Sequence, residues 1–139
     1  METKCEDLCN ALAKCVVARD FKGAHSLLVP WYRSTISPSE LERMVDAANE
    51  GLAHPPHAWI VGEGVMGLDE LRKPDPYGPP SQAISKEITD RNFRGWLHIQ
   101  FAPEPSVHEE QNVCFDLWLV AVEHDGSIQV GYLEAAEAT

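Results

Sequence analysis

Two short stretches in the C-terminal half carry the residues best suited to chemistry. In "GWLHIQF" (95–101), Trp96, His98 and Gln100 alternate with Leu97, Ile99 and Phe101. In 113–122, Cys114, Asp116, Trp118, Val120 and Val122 alternate with Val113, Phe115, Leu117, Leu119 and Ala121. Successive side chains of a strand point to opposite faces, so each stretch reads as a strand with one purely apolar face. If the two strands pair, the other faces bring His98, Gln100, Cys114 and Asp116 together between Trp96 and Trp118. Small-molecule sites are mostly apolar with a few fixed polar groups, which makes these six residues the candidate ligand-binding set. Within it, Asp116 and His98 are the candidate catalytic pair. Burial raises a carboxyl pKa and a neighbouring charged imidazole lowers it. A general base needs a pKa near the working pH and direct reach to the substrate proton. A purely structural role competes: a strand Asp can face solvent, pair with an arginine such as Arg94, or accept an indole proton. Register decides between these, because a slip of one residue sends the whole set to the opposite face.

Other chemistries find less support. Cys5, Cys9 and Cys15 fall with Leu8, Leu12 and Val16 on one helical face, so they read as small core residues. A thiolate metal site would need Cys114 or a histidine as further ligands, and the C-x-x-C spacing is absent. His54 and His57 are three apart, but the prolines between them forbid the helix that would align them. No metal and no cofactor is expected. His25 borders an apolar stripe, and His108 and His124 fall in a link and a turn. The chain has no G-x-S-x-G, no phosphate-binding glycine loop and no H-E-x-x-H. "GEGVMG" (62–67) lacks the strand and capped helix that a dinucleotide fingerprint requires.

The elements that must position the candidate set begin with helices. Residues 5–16 form the first. Asp20 caps a second, with Ala24, Leu27, Leu28 and Trp31 as its stripe, and Pro30 should kink or end it near Val29. Ser37-Pro38-Ser39-Glu40 is a capping box with proline at the first helical position. Ile36 and Leu41 can staple that third helix, and Leu41, Met44, Val45, Ala48 and Leu52 are its buried face, ending near Gly51. From His54 to Pro80 the periodicity breaks, leaving one short strand at 59–61, a helical turn at "LDELR" and a rigid loop in "KPDPYGPP". Residues 81–90 read equally as a short helix or a lead-in to a strand. After the strand at 95–101 come a polar link (102–112), the strand at 113–122, a hairpin turn at Asp125-Gly126 and a returning strand at 128–133. Helices followed by an antiparallel sheet predict a single α+β domain over 1–139.

The 139 residues include 22 Asp and Glu against 11 Lys and Arg, a net charge of −11. Nucleic-acid binding relies on lysines and arginines that neutralise phosphates, so this balance argues against it. It permits a basic protein partner. No run of 18 apolar residues exists, so no membrane association is expected. The polar, acidic N-terminus lacks the order of a signal peptide. A cytoplasmic location with reduced cysteines is the expectation. Both faces of the strand at 113–122 are largely apolar, and a homodimer packed sheet against sheet would cover the second face.

"ARDFKGAHSLLVPWY" followed by a capped helix, and the late "FDLWLVAVEHDGSIQVGYL", resemble the nuclear transport factor 2-like superfamily. The resemblance implies N-terminal helices packed on a curved antiparallel sheet, a cone whose open end and concave face hold the usual pocket. It covers the helical third and the final third, while the proline-rich middle departs from the family pattern. The superfamily contains isomerases, dehydratases, epoxide hydrolases and non-enzymatic binding domains, so the fold alone selects no activity. The expectation is a domain that binds a small apolar ligand, or a partner protein, through the cone pocket or sheet face. Two further readings stand beside it. One is an isomerase- or lyase-type pocket enzyme using His98 and Asp116. The other is an acidic interaction module, of immunity-protein or adaptor type, for a basic partner.

Overall fold

A computed structural model describes residues 1–49, 55–73, 84–103 and 115–137. The expectations placed on Gly51, Leu52, His54, the prolines of 74–80, Ser81 to Ala83, most of the 102–112 link, His108, Val113 and Cys114 lie outside these residues. The described chain is α+β, with N-terminal helices and a four-stranded antiparallel sheet.

The helices are α1 (Thr3–Val17), α2 (Phe21–Ser26), α3 (Pro30–Arg33) and α4 (Pro38–Ala48). Helix α1 buries Cys5, Leu8, Cys9, Leu12, Ala13 and Val16, the stripe that its spacing predicts. Arg19, at φ 57°, turns the chain out of α1, and Asp20 then caps α2 by accepting from Gly23 N at 2.9 Å. The expected second helix is two short ones. Leu28 leaves helical geometry to form a parallel bridge with Val130, and Val29 and Val130 complete the exchange by donating to Val130 O and Leu27 O. Pro30 then starts α3, where its missing N–H costs nothing. Helix α4 has the capping box: Glu40 N donates to Ser37 Oγ and Ser37 N donates to Glu40 Oε1, both at 3.1 Å. Arg19 reaches back from the end of α1 to Glu42 and Asp46 of α4, tying the helices at their solvent side.

Strands β1 (Ala58–Glu63), β2 (Phe93–Ala102), β3 (Phe115–His124) and β4 (Ser127–Glu137) lie in chain order across the sheet, each antiparallel to the next. Asp125 and Gly126 both adopt positive φ, at 49° and 83°, as a two-residue hairpin turn demands. The inner face carries Leu97, Ile99, Phe101, Phe115, Leu117, Leu119, Ala121, Val130 and Leu133, all buried against the helices in one core. Phe101 and Phe115 stack at 4.7 Å in its centre.

The opposite face has a second, smaller core at one end. Helix α5 (Leu68–Arg72) and the turn segment 84–92 bring Leu68, Leu71, Ile84 and Ile88 over Trp96, Val120 and Val122. Arg72 holds this cover by donating to the carbonyls of Ser85 and Ile88. Residues 84–92 are neither helix nor strand, and Ile84 and Ile88 are their anchors. The chain thus covers part of its own second face, which removes part of the reason for expecting a second copy there.

Candidate functional site

The register places the candidate residues. Gln100 stands opposite Asp116, His98 opposite Trp118, and Trp96 opposite Val120. All point away from the helices, because their neighbours Leu97, Ile99, Phe115, Leu117 and Leu119 fill the inner core. His98, Gln100, Asp116, Trp96 and Trp118 therefore share the outer face, as the alternation implies. Strand β1 adds Ile60 beside Gln100 and Gly62 beside His98. Strand β4 adds Glu134 beside Trp118 and Ala136 beside Asp116.

The aromatic rings form a ladder across this face. Tyr132 and Trp96 stack at 6.5 Å, Trp96 and Trp118 at 5.2 Å, and Trp118 and His98 at 4.2 Å. Offset stacking of this kind is favourable beyond simple burial, by about 0.5–1.5 kcal/mol per pair. Gly64 lies against the ladder. A Cβ there would stand 2.3 Å from Trp96 Cδ1 and 3.1 Å from Trp118 Cζ3. Gly64 N also donates to Trp96 O at 2.7 Å. The glycine of "GEGVMG" is thus needed for close approach to tryptophan, in place of any phosphate.

The ladder ends at His98, whose Nε2 lies 3.1 Å from Asp116 Oδ1. Both atoms are shut off from solvent, and neither has a well-aligned hydrogen bond. The groups are within contact distance, but the imidazole is not turned to donate squarely. The side chains are 24% and 21% exposed, so the pair sits at the boundary between the small core and solvent. Arg94, a possible partner for Asp116, contacts Glu123 instead. Strand β3 carries both acids, but Glu123 is seven residues on and belongs to the opposite face.

Tyr132 and Glu134 are members of this face that simple alternation misses. Ile128 and Val130 point inward, so an unbroken strand would send Tyr132 inward too. A register shift between Val120 and Ala121 of β3 leaves Gly131 as the extra residue of β4. Tyr132 then turns outward and donates from its hydroxyl to Glu134 Oε2 at 3.1 Å. Burial first, and then the Glu134 carboxylate, push the Tyr132 phenol well above its usual range. The signal for the bulge was available, since a glycine inside a strand often marks one.

His25 and the cysteines of α1 serve the fold. His25 Nε2 contacts the carbonyls of Arg33 at 3.1 Å and Ile36 at 2.8 Å. Both partners are acceptors, so this nitrogen carries the proton and clamps the α3–α4 turn. Burial pushes the Cys9 thiol up to about 12 and raises Cys5 and Cys15 as well. Burial of Cys5 and Cys9 keeps their thiols protonated near neutral pH and poorly nucleophilic. Among the described residues no cluster of three or more His, Cys, Asp and Glu could hold a metal, and no helix is long and apolar enough to cross a membrane. Two open clefts lie elsewhere: one of about 300 Å³ beside Arg19, Phe21 and Glu42, and one of about 350 Å³ between α1 and the β3–β4 turn. Comparison with protein-family models, with curated proteins and with solved structures gives no match to this chain.

Proposed function

We propose that this chain is a small-molecule-binding domain of nuclear transport factor 2-like type, with its site on the outer sheet face. The site is the patch of Trp96, His98, Gln100, Asp116 and Trp118. The order of helices before sheet, the Asp-Gly hairpin and the closing "VGYL" strand support the family reading. One observation carries the functional reading. A histidine and an aspartate stand 3.1 Å apart, with their facing atoms shut off from water and imperfectly hydrogen-bonded. The great majority of buried polar groups are paired, and a bound group is one explanation for an exception.

A fragment screen monitored by 1H–15N spectra tests this. Compounds that bind should shift the indole N–H signals of Trp96 and Trp118, and His98→Ala should abolish those shifts without unfolding the chain. Hits that perturb only the clefts beside α1 and α4 would overturn the assignment. The same 3.1 Å approach favours a second reading, acid–base catalysis of isomerase or lyase type. Following each bound fragment over time by NMR separates the two. Chemical change that His98→Gln and Asp116→Asn both abolish marks an enzyme, and unchanged fragments mark a binding domain.

A further inference from the structure

The same patch also points to a class of ligand, on the understanding that it is a ligand site at all. Gln100 and Asp116 are directly opposed on β2 and β3, so their side chains emerge side by side. His98 Nε2 stands 3.1 Å from one oxygen of Asp116 without a well-aligned hydrogen bond. That oxygen, Oδ1, is shut off from solvent, so the 21% exposure of the side chain falls on the rest of the group. Gln100 is half-buried, and its side chain has no hydrogen-bond partner among the described residues. A carboxylate and a carboxamide oxygen thus stand as neighbouring unengaged acceptors. Apolar and small groups frame them: Ile60, which is 70% exposed, beside Gln100, and Ala136 beside Asp116. Glu134 places a second carboxylate on the next strand. His98 is the only basic side chain among the paired positions of this patch.

We propose that this patch binds a small planar cation of the amidinium or guanidinium type. One N–H would meet the outer oxygen of Asp116 in a charge-assisted hydrogen bond and the parallel N–H would meet Oε1 of Gln100. Its apolar body would lie over Ile60 and Ala136. An anionic ligand of the same shape would face Asp116 and Glu134 with no lysine or arginine at these positions, a repulsion that confers selectivity.

Three ligands of one shape and different charge test the class. The full chain is titrated with benzamidine, benzamide and benzoate and followed by 1H–15N spectra. Benzamidine should shift the Gln100 side-chain amide and the Trp118 indole saturably, and benzoate should not. Asp116→Asn should weaken benzamidine at least about tenfold, and Gln100→Leu by a smaller factor. Thermal melts establish that both variants fold. If Asp116→Asn does not fold, loss of affinity in Gln100→Leu carries the test. Benzamide or benzoate binding the patch as tightly as benzamidine overturns the cation class and leaves the ligand site standing. Benzamidine shifts scattered over the acidic surface, unchanged in either variant, overturn the proposal as non-specific charge attraction. Silence at the patch from all three overturns it too, and the fragment screen then judges the site itself.

Discussion

The two faces of the sheet come from the same strands, one residue out of step, and they do different work. On the inner face Phe101, Ile99, Phe115, Leu117 and Leu119 are at most 1% exposed and meet only apolar neighbours. Burying each such side chain favours folding by about 1.5–3 kcal/mol, so this face and its helices supply most of the stability. The outer face is divided. One end is sealed by α5 and the 84–92 turn, and the other presents His98, Gln100 and Asp116 with incomplete hydrogen bonding. Because the inner core holds the strands in register, the outer face can carry polar groups that contribute little to folding.

That contrast can be broken by substitution. The largest effect is expected from Phe115→Ala, at the centre of the inner core. It should lose about 3–5 kcal/mol in urea denaturation, and a loss below about 1 kcal/mol would mean that the inner face is not the main core. Gly64→Ala should cost about 1–3 kcal/mol, the range for overpacking, with a change in the tryptophan near-UV circular dichroism. An unchanged spectrum would mean that the loop does not rest on Trp96.

The inner face also has a pH signature. The native Cys9 thiol, pushed up to about 12, holds its proton where an unfolded thiol loses it. Stability should therefore be full below about pH 8.5 and fall as pH rises toward 12, by up to about 1.4 kcal/mol per pH unit from this residue. Cys9→Ala should flatten part of that decline, and an identical slope in the variant would place Cys9 in water. Smallest of all, Gln100→Leu on the outer face should change stability by no more than about 0.5 kcal/mol. A large loss would show that Gln100 serves the fold after all.

Local chemistry with a short reach was legible in the sequence. The Ser37–Glu40 capping box, the Asp20 cap and the Asp125-Gly126 turn depend on residues a few positions apart, and each is found as read. Period-two alternation placed Trp96, His98 and Gln100 on one face and Asp116 and Trp118 on a face of the next strand. The meeting of these faces could not be read, because register is set by the inner core and not by the polar residues themselves. The bulge at Gly131 reversed the facing of Tyr132, a one-residue event that only the glycine itself signals. Leu28 left its helix for a bridge to Val130, a partner 102 positions away along the chain. Ile84 and Ile88, four apart among polar residues, gave too little pattern to distinguish a helix from a turn. They are buried against Trp96 and against Val120 and Val122, which are distant in the sequence.

The bridge from Leu27–Val29 to Val130 also affects how molecules of this protein meet one another. Hydrogen-bonding groups on the rim of a sheet invite another chain to zip on. Here Val29 N and Val130 N are already satisfied by this exchange, and the Tyr32 hydroxyl accepts from Leu133 N. Beyond Leu133 the strand carries Glu134 and Glu137, and like charges brought into register would repel. The rim of β4 is thereby protected against runaway self-assembly, first by its own chain and then by charge.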